Sequence, residues 1–377
     1  MPLQNAYNAY NAYNAYNAYN AYNAYNAYNA YGGAVGGSGG PLFAAGLMRQ
    51  REGVAGGGDM PRSGMVSDAQ VDARGDLHDR LFGTGALHRG EALAFELMAG
   101  LGFSGDDHGA ALSQRLSDGT ETPLVGLKRP GSDVLKEGLK LVAGYAELRE
   151  DRLPEIEVQI VDILSFFAAA LPLDGARHRY TIELAGLAVG LSGVLAQRLK
   201  VGLGVMRPHV LSAQCHPIIA TPSHGSCPSG HATQAFACAG VLAAVTGADD
   251  VTKEQLRRIA ARIAINRTVA GVHYPVDSAA GAVLGGAFAE LVQARAEAAM
   301  PDAGGAPAGA AAPGGRVFQG DEWLDLDGMG ARDFHLAELD QMEGGGRPGL
   351  TKSASQGDAM PAPLMAALWA AAAGEWA

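Results

Sequence analysis

The chain has 377 residues and a formal net charge of −11, from 28 Lys and Arg against 39 Asp and Glu. That balance excludes a nucleic-acid partner, which needs a basic surface. Cys215, Cys227 and Cys238 are the three cysteines; too few for a disulfide framework and without Cys-x-x-Cys spacing, they also exclude a cysteine zinc site.

Residues 5–31 are nine consecutive Asn-Ala-Tyr triplets, followed by GGAVGGSGG. A three-residue repeat fits neither helical nor strand periodicity, so it keeps no face apolar. Nine of the 12 tyrosines lie there, so the aromatic count overstates the core. Residues 1–75 are therefore expected to be a low-complexity disordered region. The N-terminus lacks the basic and apolar regions of a secretory signal, which makes a soluble cytoplasmic protein the default expectation.

Residues 76–300 read as one helical domain of ordinary size. Ile156, Ile160, Ile163, Leu164 and Phe167 form one apolar stripe at helical spacing, with Glu155, Gln159 and Asp162 off it. Helices are also predicted over 180–200, 231–245, 252–267 and 275–299. Thr252 and Gln255 match a capping box, and Pro275 suits a first turn. Strand signals are scarce, so the expected fold is an all-α bundle. The longest uncharged apolar run, 232–248, has 17 residues. A spanning helix wants about 20, so no clear membrane span is expected.

Composition shifts again near residue 300. PDAGGAPAGAAAPGG (301–315) reads as a flexible linker. The remaining chain to 377 holds all three tryptophans and is expected to be a loosely structured tail, with a short terminal helix able to dock on the body.

Three polar segments sit where apolar helices begin or end. In KVGLGVMRP, Lys200 and Arg207 are seven residues apart and share a face if the helix continues. Pro208 disfavours helical geometry at Arg207. In CPSGHAT, Gly230 and Ser229 precede a helix whose first N–H groups attract anions. In NRTVAGVHYPVD, Arg267 closes one helix and Asp277 opens the next, where its carboxylate can orient His273. Each segment has a plainer reading: snorkelling cations, a Ser N-cap with a solvated histidine, and an Asp cap beside an incidental histidine. Together they supply three cations, one helix N-terminus, two histidines and a carboxylate. That set suits displacement at a tetrahedral oxyanion. His209, His216 and His224 lie near these segments and are candidates for the entrance.

The three segments resemble the signatures of the type 2 phosphatidic acid phosphatase superfamily, which includes the vanadium-dependent haloperoxidases. The family's Lys-x6-Arg-Pro, Pro-Ser-Gly-His and Ser-Arg-x5-His-x3-Asp stand here as Lys200–Arg207-Pro208, Pro228–His231 and Asn266-Arg267–His273–Asp277. Asn266 replaces the usual Ser. The resemblance implies a phosphoric monoester hydrolase acting through a phospho-histidine. Lys200, Arg207, Ser229, Gly230 and Arg267 would bind phosphate, His273 would attack, Asp277 would orient it, and His231 would be acid and base. No metal or cofactor is then expected, and the substrate would be a phosphorylated small molecule or lipid phosphate. The alternative is a haloperoxidase with vanadate as cofactor and His273 as vanadium ligand. A second alternative is a non-catalytic oxyanion-binding protein. A homo-oligomer is left open. Connections of 19 residues between Pro208 and Pro228 and 34 between His231 and Asn266 are compact, as in the family's phosphatases.

Overall fold

Residues 75–302, 305–324, 330 and 332–377 are described by the computed structural model. The Asn-Ala-Tyr repeat, read above as disordered, lies outside the described residues. Two helices, α1 (Leu77–Gly83) and α2 (Ala86–Met98), lead into strands β1 (Leu101–Asp106), β2 (Gly109–Arg115) and β3 (Glu121–Lys128). Then come α3 (Ser132–Gly144), a 3-10 turn (Tyr145–Leu148), α4 (Arg149–Val161) and α5 (Leu164–Phe167). The central helices are α6 (Arg179–Leu203), α7 (Pro208–Leu211), α8 (Gly230–Val245), α9 (Asp250–Val269) and α10 (Pro275–Ala299). The chain closes with β4 (Arg316–Phe318), α11 (Leu336–Glu343), β5 (Leu350–Lys352) and α12 (Pro363–Gly374).

The fold is mostly helical but not all-α, as the sequence reading had it. A five-stranded sheet runs β1-β2-β3-β4-β5, with β3 and β4 parallel and the other pairs antiparallel. Burial alternates along β2, and Leu124, Val125 and Leu127 of β3 are buried. Gly, Ala, Ser and Thr dilute that alternation in sequence. The pairing of Val125 with Arg316 joins segments far apart in the chain, a relation that no local pattern carries.

The stripe read across 156–167 does not form one helix. Asp162 leaves helical geometry at φ −148° and its carboxylate accepts from Ser165 N at 3.0 Å, starting α5. Gln159, expected off the apolar face, is completely buried. Helix α9 starts at Asp249, whose side chain accepts from Thr252 N at 2.8 Å, three residues earlier than the Thr252–Gln255 box implied.

Helices α6, α8 and α10 pack at the centre, and small residues allow close approach. A methyl group on Gly285 of α10 would lie 2.3 Å from Thr233 O and 2.9 Å from Ala237 N of α8. Backbone cannot yield as a flexible side chain would. Gly285→Ala is therefore expected to cost about 1–3 kcal/mol, read as a lowered unfolding midpoint.

The tail is not loosely structured where it is described. Met365, Leu368 and Trp369 of α12 are buried in the core that α6, α8 and α10 share. Glu375 caps α6, accepting from Tyr180 N and Thr181 N at 2.8 Å each. Glu96 caps α12, accepting from Leu364 N and Met365 N at 2.9 Å each. Carboxylates at helix N-termini offset the positive end of the dipole. The expected linker also pairs in its described part, through Ala311 with Asp358, while Ala312 is buried.

Among the described residues, Arg179–Leu211 is the one helical stretch long and apolar enough to cross a membrane, and 61% of its most apolar window is buried inside the protein. Counting uncharged runs missed it, because Glu183 and Arg198 interrupt the run without ending the helix.

Candidate active site

Lys200 lies in the last turn of α6, which ends at Gly204 in the left-handed region (φ +58°). The helix therefore stops before Arg207, and the shared helical face expected for the two cations does not arise. Arg207 takes an extended conformation as the N-cap of α7, with Pro208 in the first turn. The turn at Gly204 still brings both side chains to one place. Lys200 Nζ donates to Gly225 O at 3.0 Å and Ser226 O at 2.7 Å. Arg207 donates to His224 O at 3.1 Å and Val272 O at 2.7 Å.

Those bonds tie the first segment to the other two. The second is tied to the third by Ser229 N, which donates to Asp277 O at 2.8 Å. Ser229 caps α8, its Oγ accepting from Ala232 N at 3.4 Å, which leaves the hydroxyl hydrogen to donate. Gly230 is the first residue of α8 and His231 the second.

Asp277 sits in the first turn of α10 and is fully buried. Its Oδ2 meets three donors: Tyr274 N at 3.0 Å, His273 Nδ1 at 2.9 Å and the Ser226 hydroxyl. Burial pushes the Asp277 carboxyl up, while the Ser226 bond and the Lys200 charge pull it back. Three donors on one oxygen are what a carboxylate wants, and they assign the proton of His273 to Nδ1. Its Nε2 then carries a lone pair, 3.4 Å from Arg207 Nη1.

Burial, followed by Arg207 and Lys200, holds His273 well below the usual imidazole range, so the ring is neutral. His231 is depressed in the same way, by burial and then by Arg267. Its Nε2 faces Gln159 O at 3.1 Å. A carbonyl only accepts, so Nε2 holds the proton and Nδ1 carries the lone pair. Lys200 is lowered to about 7, mainly by burial and next by Arg207.

Arg267, at the end of α9, is buried and donates through Nη2 to Gln159 Oε1 at 2.9 Å and Ile156 O at 3.3 Å. Asn266, where the family's signature has Ser, donates to Gln159 Oε1 at 3.0 Å and Glu155 Oε2 at 3.1 Å. Lys200 and Arg207 line a surface cleft of about 530 Å³, with His209 and His224 at its walls. His224 is 3.2 Å from Arg207 Nη2 and is lowered to about 4, first by burial. His216 is exposed and does not line the cleft.

The structure thus gathers Lys200, Arg207, Ser229, Gly230, His231, Arg267, His273 and Asp277 around one locus. Residues 183–299 match the profile of the PAP2 superfamily. This stretch is a PAP2-superfamily domain. The PAP2 match begins within α6 and ends with α10, so it holds all eight residues but leaves out α4, whose Gln159 accepts from Arg267. No curated protein matches the chain. Among solved structures, a bacterial vanadium-dependent iodoperoxidase is similar at 19% identity and a TM-score of 0.33, over 40% of this chain and 46% of that one. A transmembrane PAP2-type phosphatidylglycerolphosphate phosphatase from Bacillus subtilis is similar at 21% identity and a TM-score of 0.27, over 42% of this chain and 81% of that one. The chain spans less than half the length of the iodoperoxidase it matches.

Sequence reasoning missed Ser226 and Gln159. Ser226 adjoins the Pro-Ser-Gly-His segment but carries no distinguishing pattern. Gln159 lies in α4, outside every signature, and its position off the apolar stripe argued for solvent.

Proposed function

We propose that the protein is a phosphoric monoester hydrolase working through a phospho-histidine. The observation that carries this reading is His273, with Nδ1 on the Asp277 carboxylate and Nε2 beside Arg207. Lys200, Arg207 and Arg267 would neutralise the phosphoryl oxygens, with Ser229 and the Gly230 amide as further donors. His273 Nε2 attacks phosphorus, and the bond to the leaving oxygen breaks. His231 is kept neutral in the free site by burial and then by the cations around it, Arg267 first. A bound phosphate dianion offsets those cations, so His231 gains a proton only with substrate in place. It then protonates the leaving alcohol and, as the neutral base, takes a proton from the water that cleaves the phospho-histidine.

The compact connections between segments favour a phosphatase over a haloperoxidase. The same residues fit vanadate, whose place would be at His273 Nε2 among the three cations, and it would supply peroxide activation. The cleft rim suits an apolar leaving group, since Val201, Met206 and Val210 line it and are 76%, 56% and 59% exposed. A lipid phosphate or aryl phosphate fits that rim better than a sugar phosphate.

The deciding experiment runs two assays on the same purified protein. One follows phosphate release from an aryl phosphate, with vanadate as inhibitor. The other follows bromination of a phenol dye after vanadate loading, with peroxide. Phosphate release with competitive inhibition by vanadate is expected; bromination without phosphate release would overturn the reading.

Acidity gives a second check. Lys200 is charged below its pKa of about 7 and neutral above it, so anion capture weakens as pH rises. kcat/KM is expected to fall by about tenfold per pH unit on the alkaline limb. Lys200→Arg, whose guanidinium stays charged, should move that limb upward. An unmoved limb would mean that another group titrates there.

A further inference from the structure

Gln159 stands at the centre of a polar network whose hydrogen positions can be worked out. Arg152 Nη1 only donates, and it meets Asn266 Oδ1 at 3.2 Å. The Asn266 amide nitrogen therefore faces Glu155 and Gln159. Arg267 also only donates. Two donors, Asn266 Nδ2 and Arg267 Nη2, thus converge on Gln159 Oε1 at 3.0 and 2.9 Å. This sets the amide orientation without ambiguity. Gln159 Nε2 is left over. It is buried in a fully buried side chain and has no hydrogen-bond partner among the described residues.

A buried amide nitrogen without an acceptor is an unmet donor, and an oxygen of a bound ligand would accept from it. Its neighbours identify the kind. The same residue holds Arg267 through Oε1 and His231 through its main-chain carbonyl, 2.9 and 3.1 Å away. Moreover, the acceptors that these contacts give Arg267 are a neutral amide and a peptide carbonyl. A neutral partner orients the guanidinium without adding a negative charge of its own.

We propose that Gln159 is a further anion-binding residue of this site, donating Nε2–H to an oxygen of the bound tetrahedral anion while its Oε1 aims Arg267. The proposal rests on the phosphoryl-transfer reading above. It brings into the site a helix, α4, that lies outside the matched segment 183–299.

Two variants of the full-length protein test it, with orthovanadate and inorganic phosphate as probes in calorimetric titration and as inhibitors of aryl phosphate hydrolysis. Gln159→Glu keeps the acceptor for Arg267 and Asn266 and should fold. It replaces the donor with a negative charge, so both anions should bind at least about 100-fold more weakly. That charge also offsets Arg267 at 2.9 Å, so weaker binding in this variant is read together with the uncharged one. Gln159→Met removes the donor without adding charge and should weaken both anions by about 10-fold or more, with KM rising. If either folded variant binds vanadate and phosphate as tightly as the parent, while the parent hydrolyses the ester, the role of Gln159 is refuted and the phosphatase reading survives. If the parent binds neither anion, both fall together.

Discussion

Replacing His273 with alanine is expected to lower turnover of an aryl phosphate by on the order of 10⁴-fold or more. The loss follows from the site's construction. The ring is buried, held at Nδ1 by Asp277 at 2.9 Å, and kept neutral by burial and two cations. Its Nε2 lone pair is therefore ready at neutral pH beside the guanidinium that would receive a phosphoryl oxygen. Without it, the cations still bind an anion, so phosphate affinity should fall far less than kcat. Steady-state kinetics beside phosphate titration separates the two effects. Parent-like kcat in the alanine variant would remove His273 as nucleophile.

Asp277→Asn should cost about as much, on the order of 10⁴-fold in kcat, though no group that touches the substrate is lost. Asp277 Oδ2 accepts from Ser226, Tyr274 N and His273 Nδ1. An asparagine with its oxygen at the Oδ2 position still accepts from all three donors, but as a neutral amide it no longer offsets the positive charge that His273 gains on attacking phosphorus. A second readout follows from charge. Asp277 raises the pKa of Lys200, against burial and Arg207. With that carboxylate neutralised, Lys200 loses its proton at lower pH, so the alkaline limb of kcat/KM should move below about 7. Nitrogen shifts of the His273 ring report the tautomer directly. A variant with parent-like kcat and an unmoved alkaline limb would show that the charge of Asp277 plays no part in the reaction.

Ser226 belongs to the same unit. Its hydroxyl bonds to Asp277 and lies 3.4 Å from His273 Nδ1, and its carbonyl accepts from Lys200 at 2.7 Å. One residue thus touches the orienting carboxylate and one phosphate-binding cation. The loop between α7 and α8 is held to the end of α6 by Ser226 N, which donates to Val205 O at 2.7 Å. Changes in that loop should therefore alter the alkaline limb as well as the rate.

The amino-acid sequence by itself singled out the residues that the structure brings together: Lys200, Arg207, Ser229, Gly230, His231, Arg267, His273 and Asp277. They were legible because their spacing is local. Each group falls within one helix end or one turn, and chemistry constrains such short segments tightly. The central helices were legible too, because apolar periodicity over 180–200 and 275–299 is a property of neighbouring residues. Only the tertiary structure decided the rest. The sheet depends on Val125 meeting Arg316, and α12 finds its place through Glu96 and through the Tyr180 and Thr181 amides that bond Glu375, partners distant in the chain. Gln159 shows the limit most clearly. Its place off the apolar stripe predicts solvent, yet α4 packs against α9, and the glutamine meets Arg267 and Asn266 where solvent would be. A polar side chain can be buried when another segment supplies its hydrogen bonds, and no local pattern announces which segment that is.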